Sequence, residues 1–569
     1  MTRHLARWPA PLIYVALSLV GHLPAFRSLT TMTRCTCRDA PQTDWFLGWT
    51  PYALGEGRAP WTTDHLNAPE GVNLMWNTLL PLPGLLMAPV TVIGNVLATH
   101  TLLAVLGFAL SATSMWWVLR RWAPWGPARF LGGLLYGFSP YLVAQGTDHL
   151  NLSLVAIPPL VLLCLDEILV RQRRRAVVAG LVLGVVTFAQ ILTAEEVLAS
   201  TFIACVVGLV LLLAQHRSKV DRKRVRHAAA GLGTAAGLLT LLAAWPLGVQ
   251  LAGPRPVTGP VTDASTFGAD LLGIVVPGKH QLLGLDTINE WGGGSTENGS
   301  YLGVPLLLLL VFLALRYRHL AVVRLTAVGA LVVWVLSLGR KLAIAGTTHD
   351  IPLPSGVLAD LPLLQDLSAV RLSLYVVLFT AVLLAVGVDR LHSEGVLQRR
   401  RVLFGLVAIA VVVPLIPNWP YDYRPADTPS YFTSDQVNRI PHDTVALTYP
   451  VPRFPSSEPM LWQALADYRY RSVGGYLITP DEQGRGTFRG GTTTWERLTQ
   501  PAAVGRRVQM YNTVTAMQLR VEIDRLDVRA ILVADRPGAD LVIEMVTVLL
   551  GRPGESSGGV TAWYLPASS

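Results

Sequence analysis

Charge is the scarcest property of this 569-residue chain. Asp, Glu, Lys and Arg make up 15% of it, against roughly 25% in soluble proteins, while 51% is hydrophobic. That balance excludes a purely soluble enzyme. Cysteine is nearly missing, with four residues in all, so a disulfide-stapled scaffold is excluded as well. Cys35 and Cys37 stand two apart, a strained spacing for a disulfide and too few ligands for a metal site. Lysine is equally rare: of 46 basic residues only four are Lys and 42 are Arg. With abundant Ala, Val and Gly, that bias reads as a high-GC bacterial coding sequence. The net charge of +9 does not point to nucleic acid, because no aromatic-basic stripe that could stack bases is present. Anionic lipid headgroups are the expected partners of the basic clusters. No GxxxxGK[ST] loop occurs, which excludes an ATP-driven transporter.

What the chain does have is apolar runs of membrane-span length, about 20 residues each. They fall near 10–27, 95–119, 128–144, 151–169, 176–192, 197–214, 228–250, 301–316, 322–338, 371–388 and 402–418, eleven in number. The first run has no small-residue cleavage site after it and reads as an anchor. Basic clusters at Arg120/Arg121/Arg129, Arg171–Arg175, Arg217–Arg226, Arg316–Arg324 and Arg390–Arg401 all fall on one side if the N-terminus is cytoplasmic. Residues 79–94 carry Pro81, Pro83 and Pro89 and read as an interfacial or re-entrant segment.

The polar mass then lies outside the membrane, in segments 28–94, 251–300, 339–370 and 419–569. The short cytoplasmic loops leave no room for a nucleotide-sugar site, so any chemistry faces outward. The 151-residue tail is set off by Pro414, Pro417, Pro420, Pro425 and Pro429. Strand-like runs at Thr444–Tyr449, Arg529–Ala534 and Val560–Leu565, with an amphipathic helix at Leu541–Leu550, predict a small α/β domain over 419–569. The expected fold is a polytopic α-helical membrane protein, residues 1–418, with that C-terminal extracytoplasmic α/β domain.

Acidic groups mark the places where chemistry could sit. In the first outer loop Asp39, Asp44, Glu56, Asp64 and Glu70 accompany many Trp and Pro residues. Asp44 opens an amphipathic stretch, Trp45, Phe46, Trp49 and Tyr52, suited to the headgroup layer. Asp44 reads either as a general base for an acceptor hydroxyl or as an N-cap on an interfacial helix. Two short outer turns carry Asp148 with His149, and Glu195 with Glu196. Carboxylates flush with a bilayer are expensive unless they face a cavity or pair, so they point to function. Together such groups could hold Mg²⁺ or Mn²⁺, with Asp44, Glu195 and Glu196 as the candidate metal ligands. Arg371 enters a span where a lipid phosphate or simple snorkelling would suit it. Glu297 lies just before another span.

One span, then the long loop TDWFLGW…GEGRAPW…NAPEGVNLMWN, then DHLNLSL, the EE turn, ENGSYLGVPLL, LPLLQDLSAVRLSLY, MLWQALADYRYRSVGGY and GGVTAWYLP form a pattern. It resembles the bacterial, especially actinobacterial, integral-membrane glycosyltransferases of the GT-C superfamily, over nearly the whole chain and through diffuse motifs. The resemblance implies transfer of a hexosyl or pentosyl group from a polyprenyl-phosphate donor to an extracytoplasmic glycan, lipid or protein, with inversion. It implies residence in the bacterial plasma membrane. By position it makes Asp44 the base, with Glu195, Glu196, Asp148 and His149 lining the cavity, Arg371 facing the lipid phosphate, and Asp39 and Glu297 contacting substrate. Many members carry two adjacent acidic residues, whereas Asp39 and Asp44 are five apart. A lipid-linked oligosaccharide flippase or exporter and a non-catalytic membrane scaffold are the alternatives. A flippase would need no 151-residue outer domain and would carry its polar groups through mid-span.

Overall fold

The computed structural model describes residues 9–34, 39–216, 221–261, 267–288, 291–361, 364–488, 493–503 and 513–566. Cys35 and Cys37 lie outside the described residues. The chain forms two compact units. One comprises Met1–Arg27, Thr101–Ala244 and Thr262–Asp422; the other comprises Ser28–His100, Trp245–Val261 and Tyr423–Ser569.

The first unit is helical. Among the described residues of the whole chain, four helices are long and apolar enough to cross a membrane: Val96–Leu119, Glu195–His216, Arg222–Ala252 and Ala369–Ser393. Five shorter apolar helices are Ala10–Gly21, Ala176–Ile191, Val304–Arg316, Ala321–Ser337 and Arg401–Leu415. The runs read as spans at 128–144 and 151–169 are instead broken into Gly126–Gly137, Pro140–Gln145, Leu150–Ser153 and Ile157–Leu165. Proline is the cause. Ser139 precedes Pro140 and is held extended (φ −63°, ψ 154°), and its hydroxyl accepts a hydrogen bond from the Leu142 amide, starting a new helix with Pro140 in its first turn. Pro158 and Pro159 stand in the first turn of the Ile157–Leu165 helix, after Ala156 in the helical region and with no side-chain cap. The turns so created carry Gln145, Asp148 and His149.

Small residues set a close helix contact in this unit. Gly133 and Gly137 lie on one face of the Gly126–Gly137 helix, four apart, as in the small-xxx-small packing of membrane helices. A Cβ on Gly137 would meet the Ala112 Cβ at 2.4 Å and the Ala112 backbone at 2.5 Å; one on Gly133 would meet the Ala112 carbonyl oxygen at 2.7 Å. On the same helix Gly132 faces the Ala381 carbonyl.

The second unit holds a five-stranded mixed sheet, in spatial order Glu555–Ser557, Val560–Tyr564, Val528–Ala534, Thr444–Tyr449 and Tyr470–Ser472. The last three strands run parallel and the first two pair antiparallel, as a hairpin closed by Gly558 and Gly559 at positive φ. Trp495, Leu519, Val542 and Val546 cover one face of the sheet. The other face packs Phe432, Trp462 and Tyr470.

The first outer loop belongs to this same unit. Its helix, Asp39–Gly55, carries Trp45, Phe46 and Trp49 fully buried, in one cluster with Met460, Leu461 and Tyr468. These aromatics therefore pack in protein and do not face a headgroup layer as the sequence suggested. Gln463 explains the arrangement: its side-chain oxygen accepts from Trp45 Nε1 at 2.7 Å, while its nitrogen donates to the His65 and Tyr470 carbonyls. Residues 79–94 form two six-residue helices, Pro81–Leu86 and Ala88–Ile93, neither of a length to cross a bilayer.

Replacing Gly137 by Ala forces two helices apart and is expected to lower stability by about 1–3 kcal/mol through overpacking. Gly237→Ala, where a Cβ meets nothing within 4 Å, should leave stability unchanged or raise it. Thermal unfolding of the two variants in detergent, followed by size-exclusion chromatography, checks the contrast.

Candidate functional site

The first unit gathers Arg371, Glu297, Glu196, Gln145 and His149 into one network. Arg371 lies in the 3₁₀ turn Ala369–Leu372 that leads into the Ser373–Ser393 helix. Its Nη2 and Nε donate to Glu297 Oε1 at 2.7 and 3.2 Å, and its Nη1 donates to Glu196 Oε2. Glu196 stands in the first turn of the Glu195–His216 helix, where the helix dipole favours an anion, and also accepts from the Ser368 amide. Gln145 acts as a relay. Its side-chain nitrogen donates to Glu297 Oε2 at 2.9 Å and its oxygen takes His149 Nδ1 at 2.7 Å.

Exposure separates the two carboxylates. The Glu297 side chain is 3% exposed, Glu196 25% and Arg371 17%. Burial pushes the Glu297 carboxyl up, but the Arg371 charge, His149 and the hydrogen bonds outweigh it, leaving it below its ordinary value. Glu297 is thus the fixed anion of Arg371, and Glu196 is the one that can exchange. Glu195, beside it on the helix, and Asp148, beside His149, are half-buried.

Below this network lies an apolar cavity of about 310 Å³. Thr201 and Tyr375 line its near end, where their hydroxyls share a 2.7 Å hydrogen bond, and Gln215 and His216 line the far end. Aliphatic and aromatic side chains such as Leu209, Leu325 and Phe379 make the walls. Tyr375 lies four residues after Arg371, and residues of the Glu195–His216 helix from Thr201 to His216 line the cavity.

The other predicted residues lie in the second unit. Asp39 is the first residue of the Asp39–Gly55 helix. Asp44, one and a half turns on, is 2% exposed, and its Oδ1 pairs at 2.7 Å with Nδ1 of His100, which is 19% exposed. Burial pushes the Asp44 carboxyl above its ordinary value against the pull of His100. Asp44 is therefore enclosed and already engaged, which is not the open base expected from its position.

Two members of these networks escaped the sequence reading, Gln145 and His100. Both had a signal. Gln145 precedes His149 by four residues, and His100 is an ionisable residue inside an apolar run.

The fold is shared with solved membrane glycosyltransferases. The mycobacterial arabinofuranosyltransferase AftD, seen by single-particle cryo-EM, aligns with a TM-score of 0.57 and 15% identity over 100% of this chain. The chain spans only 40% of the length of that protein. The oligosaccharyltransferase AglB from Archaeoglobus fulgidus, in complex with an inhibitory peptide and a dolichol-phosphate, aligns with a TM-score of 0.52 and 13% identity, covering 98% of this chain and 74% of its own. An A. fulgidus oligosaccharyltransferase in complex with Zn and sulfate gives 0.52 and 12%, over 96% and 69%. At these identities the likeness is one of fold, and the long apolar helices fit a membrane protein. No curated protein matches the chain. It belongs to the DUF6311 family, a domain of unknown function, which it matches over residues 15–416.

Removing Glu297 takes the more buried of its two anions from Arg371 and the acceptor from Gln145, so Glu297→Ala should cost about 3–5 kcal/mol of stability. Glu196→Gln, at the exposed arm, should cost under about 1 kcal/mol. Because Glu297 titrates below its unfolded value near 4.5, its contribution is full above that pH and is lost as pH falls through the folded value. Melting temperatures of the native chain and Glu297→Gln between pH 3.5 and 7 test this; Glu297→Gln should flatten the acid limb.

Proposed function

We propose that the chain is a glycosyltransferase of the bacterial plasma membrane, with its N-terminus cytoplasmic and its chemistry outside. It moves a sugar from a polyprenyl-phosphate donor to an extracytoplasmic acceptor, inverting the anomeric carbon. The observation that carries this reading is an apolar cavity lined by Tyr375, on the helix that Arg371 leads into, and by Thr201, on the helix whose first turn holds Glu196: space for an apolar chain on the two helices that also carry the ion pair. A polyprenyl phosphate has that form, an anionic head on a long hydrocarbon. The fold shared with AftD and AglB supports the same class.

Arg371 binds the phosphodiester by exchanging Glu196 for a phosphate oxygen, while Glu297 keeps the guanidinium oriented. As the C1–O bond breaks, the leaving phosphate gains charge and Arg371 stabilises it. Asp39, Asp148, His149 and Glu195 supply hydroxyl-binding groups for the sugars. The first outer loop, through Asp44, supports deprotonation of the acceptor. Of the oxygen donors read for Mg²⁺ or Mn²⁺, Asp44 is taken by His100 and Glu196 by Arg371, so they do not form an open ligand pair.

The test is transfer of label from a panel of radiolabelled polyprenyl-phosphate sugars in membranes bearing the native chain or a variant. The native chain should move label into product. Arg371→Gln should lose about 10²–10³-fold in rate. Gly208→Leu, which narrows the cavity, should raise the KM for the donor with little change in kcat. A native chain that transfers from none of the panel overturns the reading.

A further inference from the structure

We infer that the first unit binds an anionic phospholipid by its headgroup phosphate, against the side chains of Arg129 and Arg120. The site lies at the end of the Val96–Leu119 helix, which is long and apolar enough to cross a membrane, and it does not rest on the transfer reaction. Composition makes anionic lipid the expected partner of every basic cluster alike. The bonding singles out this one.

Arg120, Arg121 and Arg129 form one cluster in the sequence, but only Arg121 is neutralised. Its Nε donates to Asp166, and its Nη2 donates to Glu167 at 3.0 Å. Arg129, in the first turn of the Gly126–Gly137 helix, is 6% exposed, and its Nε is enclosed with no hydrogen-bond partner. Neither Arg129 nor Arg120 makes an ion pair among the described residues. The charge that acts most strongly on Arg129 is the like charge of Arg120. The attraction of Asp389 comes second, and its Oδ1 is taken by the Trp125 amide at 2.8 Å. A buried guanidinium repelled by a second one lacks an anion, and a phosphate set against both supplies it.

The surroundings fit a lipid phosphate. Arg120 Cζ lies 3.9 Å from the centre of the Trp117 ring, and Arg129 Cζ lies 5.0 Å from that of Trp116. An indole face attracts the cation but gives its N–H groups no acceptor, so they stay free for phosphate oxygens. Arg129 Nη1 and Nη2 are not among the enclosed atoms, so this edge is reachable although the residue is buried. The Trp116 N–H is enclosed without an acceptor as well. Close packing holds the pair in place: one turn after Arg129, a Cβ on Gly133 would meet the Trp116 Cβ at 3.0 Å. Trp117 is 37% exposed and stands two residues before the helix end, the level at which Trp meets headgroups. A free phosphate would leave that ring bare, whereas a phospholipid covers it.

The experiment titrates the full chain, delipidated in detergent, with dioleoylphosphatidylglycerol or dioleoylphosphatidylcholine, and counts bound lipid by native mass spectrometry. The native chain should hold one phosphatidylglycerol about tenfold more tightly than phosphatidylcholine, whose choline brings its own counter-charge. Arg129→Gln and Arg120→Gln should each lose that preference. Arg401→Gln, at an exposed arginine of another basic cluster, should keep it. Melting temperatures separate binding from structure. Phosphatidylglycerol should raise that of the native chain but not that of Arg129→Gln, which without lipid should melt no lower than native because it loses an unpaired buried charge. If Arg129→Gln does not fold, Arg120→Gln, at an exposed residue, carries the test. Equal affinity of the native chain for the two lipids overturns the proposal, and so does either variant keeping the preference. Arg129→Gln that melts lower without lipid, yet still rises with phosphatidylglycerol as the native chain does, overturns it in favour of a packing role. Loss of the preference in Arg401→Gln overturns it in favour of general attraction to basic surface. An equal rise with inorganic phosphate alone overturns the lipid as the source of the anion.

Discussion

A guanidinium cannot be buried at the end of a membrane helix without an anion against it, and much of the first unit is arranged around that requirement at Arg371. The anion it needs most is Glu297, far along the sequence, in a loop whose backbone has no regular structure between the Trp291–Gly293 turn and the Val304–Arg316 helix. Glu297 in turn requires Gln145, because its second oxygen faces the protein interior. Gln145 can be there only because Pro140 ends one helix and begins another, placing a short helix and a polar turn where an unbroken span would have carried lipid-facing side chains. The proline break, the amide relay and the ion pair are links of one chain of necessity.

The second unit solves a different problem, that of burying large aromatics on polar loops. Trp45 and Trp49 stack at 5.0 Å between centroids, with Tyr468 edge-on to both. An indole N–H enclosed this way needs an acceptor. Trp45 finds it in Gln463 and Trp49 in the Pro60 carbonyl. Tyr468 donates to the Trp45 carbonyl. The first loop and the tail meet through these bonds, so aromatic residues from two distant stretches make one core.

The helical membrane class was legible in composition alone, because a charge deficit concentrated in runs has few other meanings. The strands Thr444–Tyr449, Val528–Ala534 and Val560–Tyr564 were legible within a residue or so, since alternation and flanking turn residues are local signals. The aromatic helix of the first loop was misread. Its pattern fits a headgroup layer or a protein groove equally, and its partner, Met460 to Tyr468, lies hundreds of residues away. Glu196 and His149 were picked out by the cost of charge near lipid, and Glu297 and Arg371 by their places at the starts of spans. Their joining into one network was not legible, because a pair such as Arg371 and Glu297 is set by tertiary structure alone. His100 was overlooked for a related reason: inside an apolar run, one histidine weighs little against the hydropathy around it.

The two networks use the same physical device. In each, a carboxylate that is almost fully enclosed, Glu297 or Asp44, grips a nitrogen-bearing side chain that is several times more exposed, Arg371 or His100. The enclosed carboxylate is a poor reagent, since nothing outside can reach it, but it is a good fixture. It sets the orientation of its partner and favours that partner's charged form at the moment charge is needed. Reading acidic residues as the reactive groups is natural from a sequence, where carboxylates near a bilayer stand out. In both pairs the acid is the enclosed member and the nitrogen-bearing side chain the more exposed one. Glu196 is the exception that sharpens the rule. It is the most exposed carboxylate of its network and the one bound to an arginine already satisfied by another, so it can be displaced without stranding a buried charge.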